Sequence, residues 1–193
     1  MPVSPPLERR EIHQRTIDVK AFLREDGLYD IEAHLIDRKP FDFWRVQRDE
    51  PVPAGQPLHD LRVRVTVDRD LVVRGIEAAS DTTPFDLCRE AEHTLSGLVG
   101  ERIASGWSSK VKALLRGAAG CTHLMEMLIT LATPGLQGVR GLARQRRPES
   151  EATGIEKKLD TCYAYSRERA VVKMYWPEHF RPHDNNDPGK ATR

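Results

Sequence analysis

The fold is decided by the stretch LRVRVTVDRDLVVRGI, which occupies residues 61–76. From Leu61 to Val67 apolar residues alternate with polar ones, which is the period of a strand with one covered and one solvated face. The charged residues at 68–70 favour a turn, and the β-branched run over 71–76 is typical of a second strand. The stretch therefore predicts a β-hairpin.

A second hairpin is predicted upstream of the first. Apolar and polar residues alternate over 17–23 and again over 29–35, and Asp26-Gly27 between them favours a tight hairpin turn. Residues 38–57 contain four prolines, so they predict a long loop that packs back on the sheet.

Helical patterns follow the strands. Thr83-Pro84-Phe85-Asp86 predicts a helix start, and apolar spacing continues that helix to Gly97 or Gly100 with Cys88 on its buried face. A short helix is predicted over 108–116, and another from Cys121 to about 132, where Pro134-Gly135 would stop it. Strands followed by helices predict an α+β fold, with a two-layer, mainly antiparallel sheet covered by about three helices.

The rest of the chain completes the predicted domain organisation. The arginine-rich residues 137–154 predict a mobile connection, and the runs at 159–165 and 170–176 predict a final hairpin. We expect a single domain over 1–180 and a disordered tail over 181–193.

Composition excludes several partner classes. Thirty Lys and Arg residues against 29 Asp and Glu residues leave a net charge of +1, so nucleic acid is not an expected partner. The longest apolar stretch, 124–132, is too short to span a bilayer, and the N-terminus lacks a signal-peptide pattern; we therefore expect no membrane partner and a cytoplasmic location. The three cysteines have no disulfide-framework spacing, which leaves thiol and metal roles open.

The stretch Gly120-Cys121-Thr122-His123-Leu124-Met125-Glu126 carries the most chemistry. A cysteine at a helix start lies where the helix dipole favours the thiolate, the form that acts as a nucleophile or metal ligand. His123 and Glu126 are three residues apart and share one helix face. The alternative is a capped core helix in which Cys121 simply packs.

His59 is the second candidate. It shares the strand parity of Leu61 and Val63, so it should face the helical layer, where Cys121 and His123 could meet it. A histidine satisfied within the core is the alternative for this position. We expect His59, Cys121 and His123 to face one pocket.

Two chemistries fit such a pocket. A metal centre would use zinc or iron as candidate ions, with His59, Cys88, Cys121 and His123 as ligands. An acid–base pocket would use a histidine oriented by a carboxylate, with His59, Asp60, His123 and Glu126 as catalytic residues. The aromatic residues expected to line it are Phe43, Trp44 and Trp107.

Five motifs together resemble the bacterial family catalogued as domain of unknown function 2889, from about Pro5 to Phe180. They are Arg24-Glu25-Asp26-Gly27, Asp30-Ile31-Glu32, Gly55-Gln56-Pro57-Leu58-His59-Asp60, Gly120-Cys121-Thr122-His123-Leu124 and Leu159-Asp160-Thr161-Cys162. The family carries no assigned general activity.

The order of strands, helices and polar residues is also loosely similar to U-type iron–sulfur assembly scaffolds, which hold zinc or a cluster with three cysteines plus Asp or His. This resemblance implies His59 or Asp60 at the first ligand position, Cys88 at the second, and Cys121 or His123 at the last.

The sequence thus predicts a small-molecule enzyme, with a lyase or hydro-lyase acting on a hydrophobic or aromatic catabolite as the expected class. The alternatives are a zinc or iron–sulfur scaffold-like protein and a non-catalytic ligand-binding domain. In each case a small molecule or a metal is the expected partner.

Overall fold

The computed structural model describes residues 7–46, 50–143 and 155–182. They fall into two units, residues 1–145 and residues 146–193. Each unit has its own cluster of buried apolar side chains.

The two predicted hairpins form one sheet in the first unit. Its strands are β1 (Gln14–Leu23), β2 (Tyr29–Arg38), β3 (Pro57–Val67) and β4 (Val73–Thr82). They lie in the order β1-β2-β3-β4, and every neighbouring pair is antiparallel. Gly27 makes the predicted turn between β1 and β2, where its φ of +82° is a left-handed conformation that glycine adopts without strain.

A helical layer covers one face of this sheet. Its helices are α1 (Trp107–Leu115), which packs on α2, and α2 (Thr122–Thr130) and α3 (Ala132–Ala143), which pack on the strands. Helix α2 packs on β2 and β3, and α3 packs on β1 and β2. The alternation of β2 and β3 sends their odd-numbered apolar side chains into this interface, where Ile31, Leu35 and Val65 are fully buried. The predicted α+β fold with an antiparallel sheet is thus confirmed.

The segment Asp86–Leu98 is a 3₁₀ helix rather than the predicted α-helix. Thr83 does not cap it, because the Thr83 hydroxyl donates to the carbonyl of Phe85 instead of accepting from a helical N–H. With three residues per turn, Leu95 and Leu98 share one stripe, and both are buried. This long 3₁₀ helix contacts β4 and α1.

The predicted stop at Pro134 is wrong. Helix α2 ends at Thr130, and α3 begins at once with Pro134 in its first turn. Proline is tolerated there because the first N–H groups of a helix have no intrahelical acceptor to lose. Consequently residues 137–143 of the predicted mobile connection are helical, and 144–154 lie outside the described residues.

The second unit contains α4 (Ala170–Tyr175) where the sequence predicted a strand of the final hairpin. Val172 is fully buried, and Trp176, four residues later, packs in the same cluster with Ile155 and Leu159. That spacing matches a helical turn, which explains why the hairpin does not form. Most of the predicted disordered tail, residues 183–193, lies outside the described residues. A single domain over 1–180 remains a prediction.

None of the helices in the described ranges is long and apolar enough to cross a membrane.

Candidate active site

The candidate site begins as a row of three residues across the sheet. The strand register places Arg15 of β1 opposite Asp37 of β2, and Asp37 opposite His59 of β3. The alternation along each strand directs all three side chains to the face of the sheet that the helices cover. The antiparallel pairing therefore brings a cation, a carboxylate and an imidazole together from positions distant in the sequence.

Asp37 is the centre of this row, and only 1% of it is exposed. Arg15 binds it in a bidentate pair, with Nε 2.7 Å from Oδ1 and Nη2 2.7 Å from Oδ2. His13 Nε2 lies 3.4 Å from Oδ1. Burial acts to raise the pKa of Asp37, but the hydrogen bonds and charge of Arg15 outweigh it, so the pKa is lowered and the carboxylate is ionised at neutral pH.

Helix α2 supplies the fourth residue, His123. Just before this helix, Gly120 lies against the end of α1, where an added Cβ would be 3.0 Å from the Leu115 carbonyl oxygen. Cys121 then occupies the N-cap position. His123 stacks on His59 with ring centroids 3.8 Å apart, and its Nε2 lies 3.6 Å from Asp37 Oδ2.

Both imidazoles are uncharged at neutral pH. Burial, followed by the positive charge of His123, lowers the pKa of His59 to about 4, although Asp37 acts in the opposite direction. Burial also lowers the pKa of His123, followed by the positive charge of Arg15. The stacked pair is therefore disfavoured as two cations and stable as two neutral rings.

Asp37 also fixes the tautomer of His59. His59 Nδ1 lies 3.0 Å from Asp37 Oδ2, and an ionised carboxylate can only accept, so Nδ1 carries the proton. The neutral ring then keeps Nε2 unprotonated. An imidazole oriented in this way can accept a proton, and the carboxylate behind it stabilises the imidazolium that forms.

The two imidazoles open on a cleft of about 650 Å³. One wall is a stripe of the long 3₁₀ helix, where residues three apart align on one side. Another part of the lining comes from residues 118–123, which lead into α2. The side chains on the 3₁₀ stripe are Phe85, Cys88, Ala91 and Thr94.

The structure brings together most, but not all, of the site residues expected from the sequence. His59, Cys88, Cys121 and His123 line the same cleft. Cys121 Sγ lies 3.7 Å from His123 Nδ1. Glu126 is about half exposed and binds Arg15 Nη1, so it reaches the centre only through that arginine.

Asp60 lies on the opposite face of the sheet. Its Oδ1 is 2.7 Å from His34 Nε2, so it does not orient His59, and Asp37 does so instead. Adjacent residues of a strand point to opposite faces, which separates Asp60 from its neighbour His59. His34 therefore lies on this polar face as well.

The aromatic residues expected to line the pocket lie elsewhere. Trp107 is buried in the core, with Nε1 donating to the carbonyl of Leu128 at 2.8 Å. Trp44 is largely exposed, and Phe43 pairs with Val52 through backbone hydrogen bonds. Phe85 is the aromatic residue that lines the cleft.

A metal ion has a different set of candidate ligands from the predicted one. Asp37, His59 and His123 each offer one ligand atom, and these atoms lie within 4.8 Å of one another. Cys88 and Cys121 do not belong to this group. Two neutral imidazoles and a carboxylate suit zinc or iron, but Arg15 places a fixed positive charge on the same carboxylate, which opposes a cation.

Asp37 and Arg15 were not identified from the sequence. The available signal was parity, because Asp37 continues the alternation of Ile31, Ala33 and Leu35 and must face the covered side. Its pairing with Arg15 depends on the register of the first hairpin, and its pairing with His59 depends on the register between the two hairpins, which the hairpin turns do not set.

These features define an α+β protein with a buried aspartate–histidine centre at the edge of an apolar cleft. The family described as "Protein of unknown function (DUF2889)" matches residues 13–137, and the chain belongs to that family. The match confirms the family, although it is shorter than the expected span from Pro5 to Phe180 and does not include Leu159-Asp160-Thr161-Cys162. It contains His13, Asp37, His59 and His123. No curated protein and no solved structure matches the chain. The looser similarity to iron–sulfur scaffolds is not shown by these comparisons.

Proposed function

We propose that this protein is a small-molecule enzyme that uses His59 and His123 for acid–base chemistry. The observation that carries the proposal is the 3.0 Å contact between Asp37 Oδ2 and His59 Nδ1, on a ring that stacks on His123 and lines the cleft. A buried carboxylate, an oriented imidazole and a second imidazole form a proton-transfer centre. Asp37 acts as a positioning residue.

The reaction class is a lyase or hydro-lyase. Cleaving a carbon–carbon bond beside a hydroxyl, or removing water, needs one group that takes a proton and one that returns it. His59 accepts the first proton through Nε2, and His123 is the second proton-transfer group. The apolar lining of the cleft supports a hydrophobic or aromatic substrate.

The phenyl β-hydroxy ketone formed from benzaldehyde and acetone tests both reactions. Retro-aldol cleavage releases benzaldehyde and acetone, whereas dehydration releases water and a conjugated enone. We expect turnover by the wild-type protein and a loss of about a hundredfold or more in His59→Gln. The matched control is His34→Gln, which removes the histidine of the Asp–His pair on the opposite face. No wild-type turnover, or equal rates in His59→Gln, contradicts the proposal.

A zinc or iron centre is the second candidate function, because Asp37, His59 and His123 offer ligand atoms within 4.8 Å of one another. Elemental analysis of protein purified without added metal tests it. Stoichiometric metal that is lost in His59→Gln and retained in His34→Gln supports this candidate. Ligand binding without turnover or metal would instead support a binding domain.

A further inference from the structure

We infer that the cleft selects an uncharged, mainly apolar ligand and rejects carboxylates and phosphates. The inference deepens the proposed function, because it names the charge class of the substrate that His59 and His123 would act on. It rests on the composition and geometry of the cleft wall.

The described lining of the cleft offers no lysine or arginine to pair with an anion. The one acidic residue among these described lining residues is Glu90. Arg15 is not part of the lining and is already bound to Asp37 and Glu126. An anion entering the cleft would lose hydration without gaining a counter-charge.

The start of α2 does not reverse this conclusion. The N-terminus of a helix carries about half an elementary charge, which suits the oxygen of a hydroxyl or carbonyl group. That partial charge cannot replace the hydration of a full carboxylate, and the negative charge of Glu90 opposes it. The polar part of the ligand is therefore an uncharged oxygen function.

The rest of the lining suits an apolar body. Phe85 is 41% exposed and Leu87 is 70% exposed, so the cleft presents apolar surface that a ligand would remove from water. The remaining walls carry small side chains, including Ala91, Ala118 and Ala119, which leave room for a ring. An aromatic or aliphatic ring with one hydroxyl or carbonyl group matches this surface.

The experiment compares naphthyl methanol with naphthoate of the same ring attachment, because the two probes differ in charge and hardly in shape. Equilibrium dialysis measures affinity, and protection from iodoacetamide locates the ligand. Cys88 and Cys121 line the cleft and should be protected, whereas Cys162 lies in the other unit, is exposed and serves as the internal control. We expect naphthoate to bind about tenfold more weakly or worse.

Three variants make the test specific. Glu90→Lys supplies the missing counter-charge and should strengthen naphthoate binding about tenfold while leaving naphthyl methanol nearly unchanged. Glu77→Lys makes the same charge change on the opposite face and should alter neither probe. Ala91→Trp fills the cleft and should abolish binding of naphthyl methanol.

Equal or tighter binding of naphthoate by the wild-type protein overturns the inference, as does failure of naphthyl methanol to protect Cys88 and Cys121. Binding is measured without turnover, so the result is separate from that of the proposed function. A wild-type rate in His59→Gln together with the expected charge preference would remove the acid–base proposal and leave the ligand class standing.

Discussion

Asp37 holds the candidate site together at the scale of single residues. Its carboxylate is buried and ionised, a state that is strongly unfavourable unless a partner supplies charge and hydrogen bonds. Arg15 supplies both through its bidentate contact. The remaining acceptor capacity of Asp37 is directed toward His59 and His123. The ion pair therefore orients the two imidazoles rather than serving stability alone.

The lowered pKa of His59 makes stability depend on pH. Its pKa is about 4 in the folded protein against 6.5 in the unfolded chain, so below pH 6.5 the unfolded state takes up a proton first. The free energy of unfolding should therefore fall as pH drops from 6.5 toward 4. Over this pH range the free energy of unfolding should fall less in His59→Gln than in the wild-type protein. The difference between the two decreases is at most about 3 kcal/mol.

Urea unfolding of both proteins at neutral pH and at about pH 4.5 measures this difference. The control is the same measurement at about pH 7 and pH 8, which lie above the pKa of His59 in the folded and in the unfolded protein. Between these two pH values the free energy of unfolding should change equally in both proteins. Parallel stability curves for wild-type and His59→Gln across the acidic range would show that burial does not shift this histidine.

Strand parity explains how much of the site the sequence could predict. The alternation of β3 correctly directs His59 under the helices, and the same rule places Asp60 on the other face, where it binds His34. Asp60 is next to His59 in the sequence, and neighbouring residues of a strand point to opposite faces of the sheet. Asp37 could be assigned to the covered face by parity, but its pairing with His59 needs the register between two strands.

At the scale of elements, α3 depends on a close approach to the sheet. A Cβ added at Gly135 would lie 2.3 Å from Ile31 Cδ1, and Ile31 is fully buried in the core. Gly135→Ala should therefore overpack this contact and lower the free energy of unfolding by about 1–3 kcal/mol. Thermal or urea unfolding measures the loss.

Gly141 in the same helix is the matched control. An added Cβ there meets nothing within 4 Å, so Gly141→Ala should be neutral or should stabilise the protein by up to about 1 kcal/mol. Adding Ile31→Val to Gly135→Ala removes the nearest carbon and should recover part of the loss. If the two glycine substitutions have equal effects, α3 does not pack as described.

The long 3₁₀ helix shows where element prediction from sequence reaches its limit. Cys88, Ala91, Leu95 and Leu98 are three, four and three residues apart, a spacing that favours the 3.6 residues per turn of an α-helix, so the apolar pattern alone predicts the wrong type of helix. The difference affects the site, because period three aligns Phe85, Cys88, Ala91 and Thr94 along the cleft. The same 3₁₀ helix packs on β4 and α1.

At the scale of the whole molecule, the candidate site lies within the first unit and within the family match over residues 13–137. The order of strands and helices was predictable there because each hairpin and most helix ends have local signals. The structure of the second unit was not predictable in this way, because its α-helix is only six residues long and the apolar pattern of that helix also fits a strand.

Asp37 holds His59 as a neutral base with its proton on Nδ1. Nitrogen-15 NMR of the His59 ring, assigned by comparison with His59→Gln, measures both the tautomer and the titration of this ring. We predict a protonated Nδ1 and an unprotonated Nε2 at neutral pH, with a titration midpoint near pH 4. A proton on Nε2, or a midpoint at or above the ordinary value of 6.5, would show that Asp37 does not hold His59 in this state.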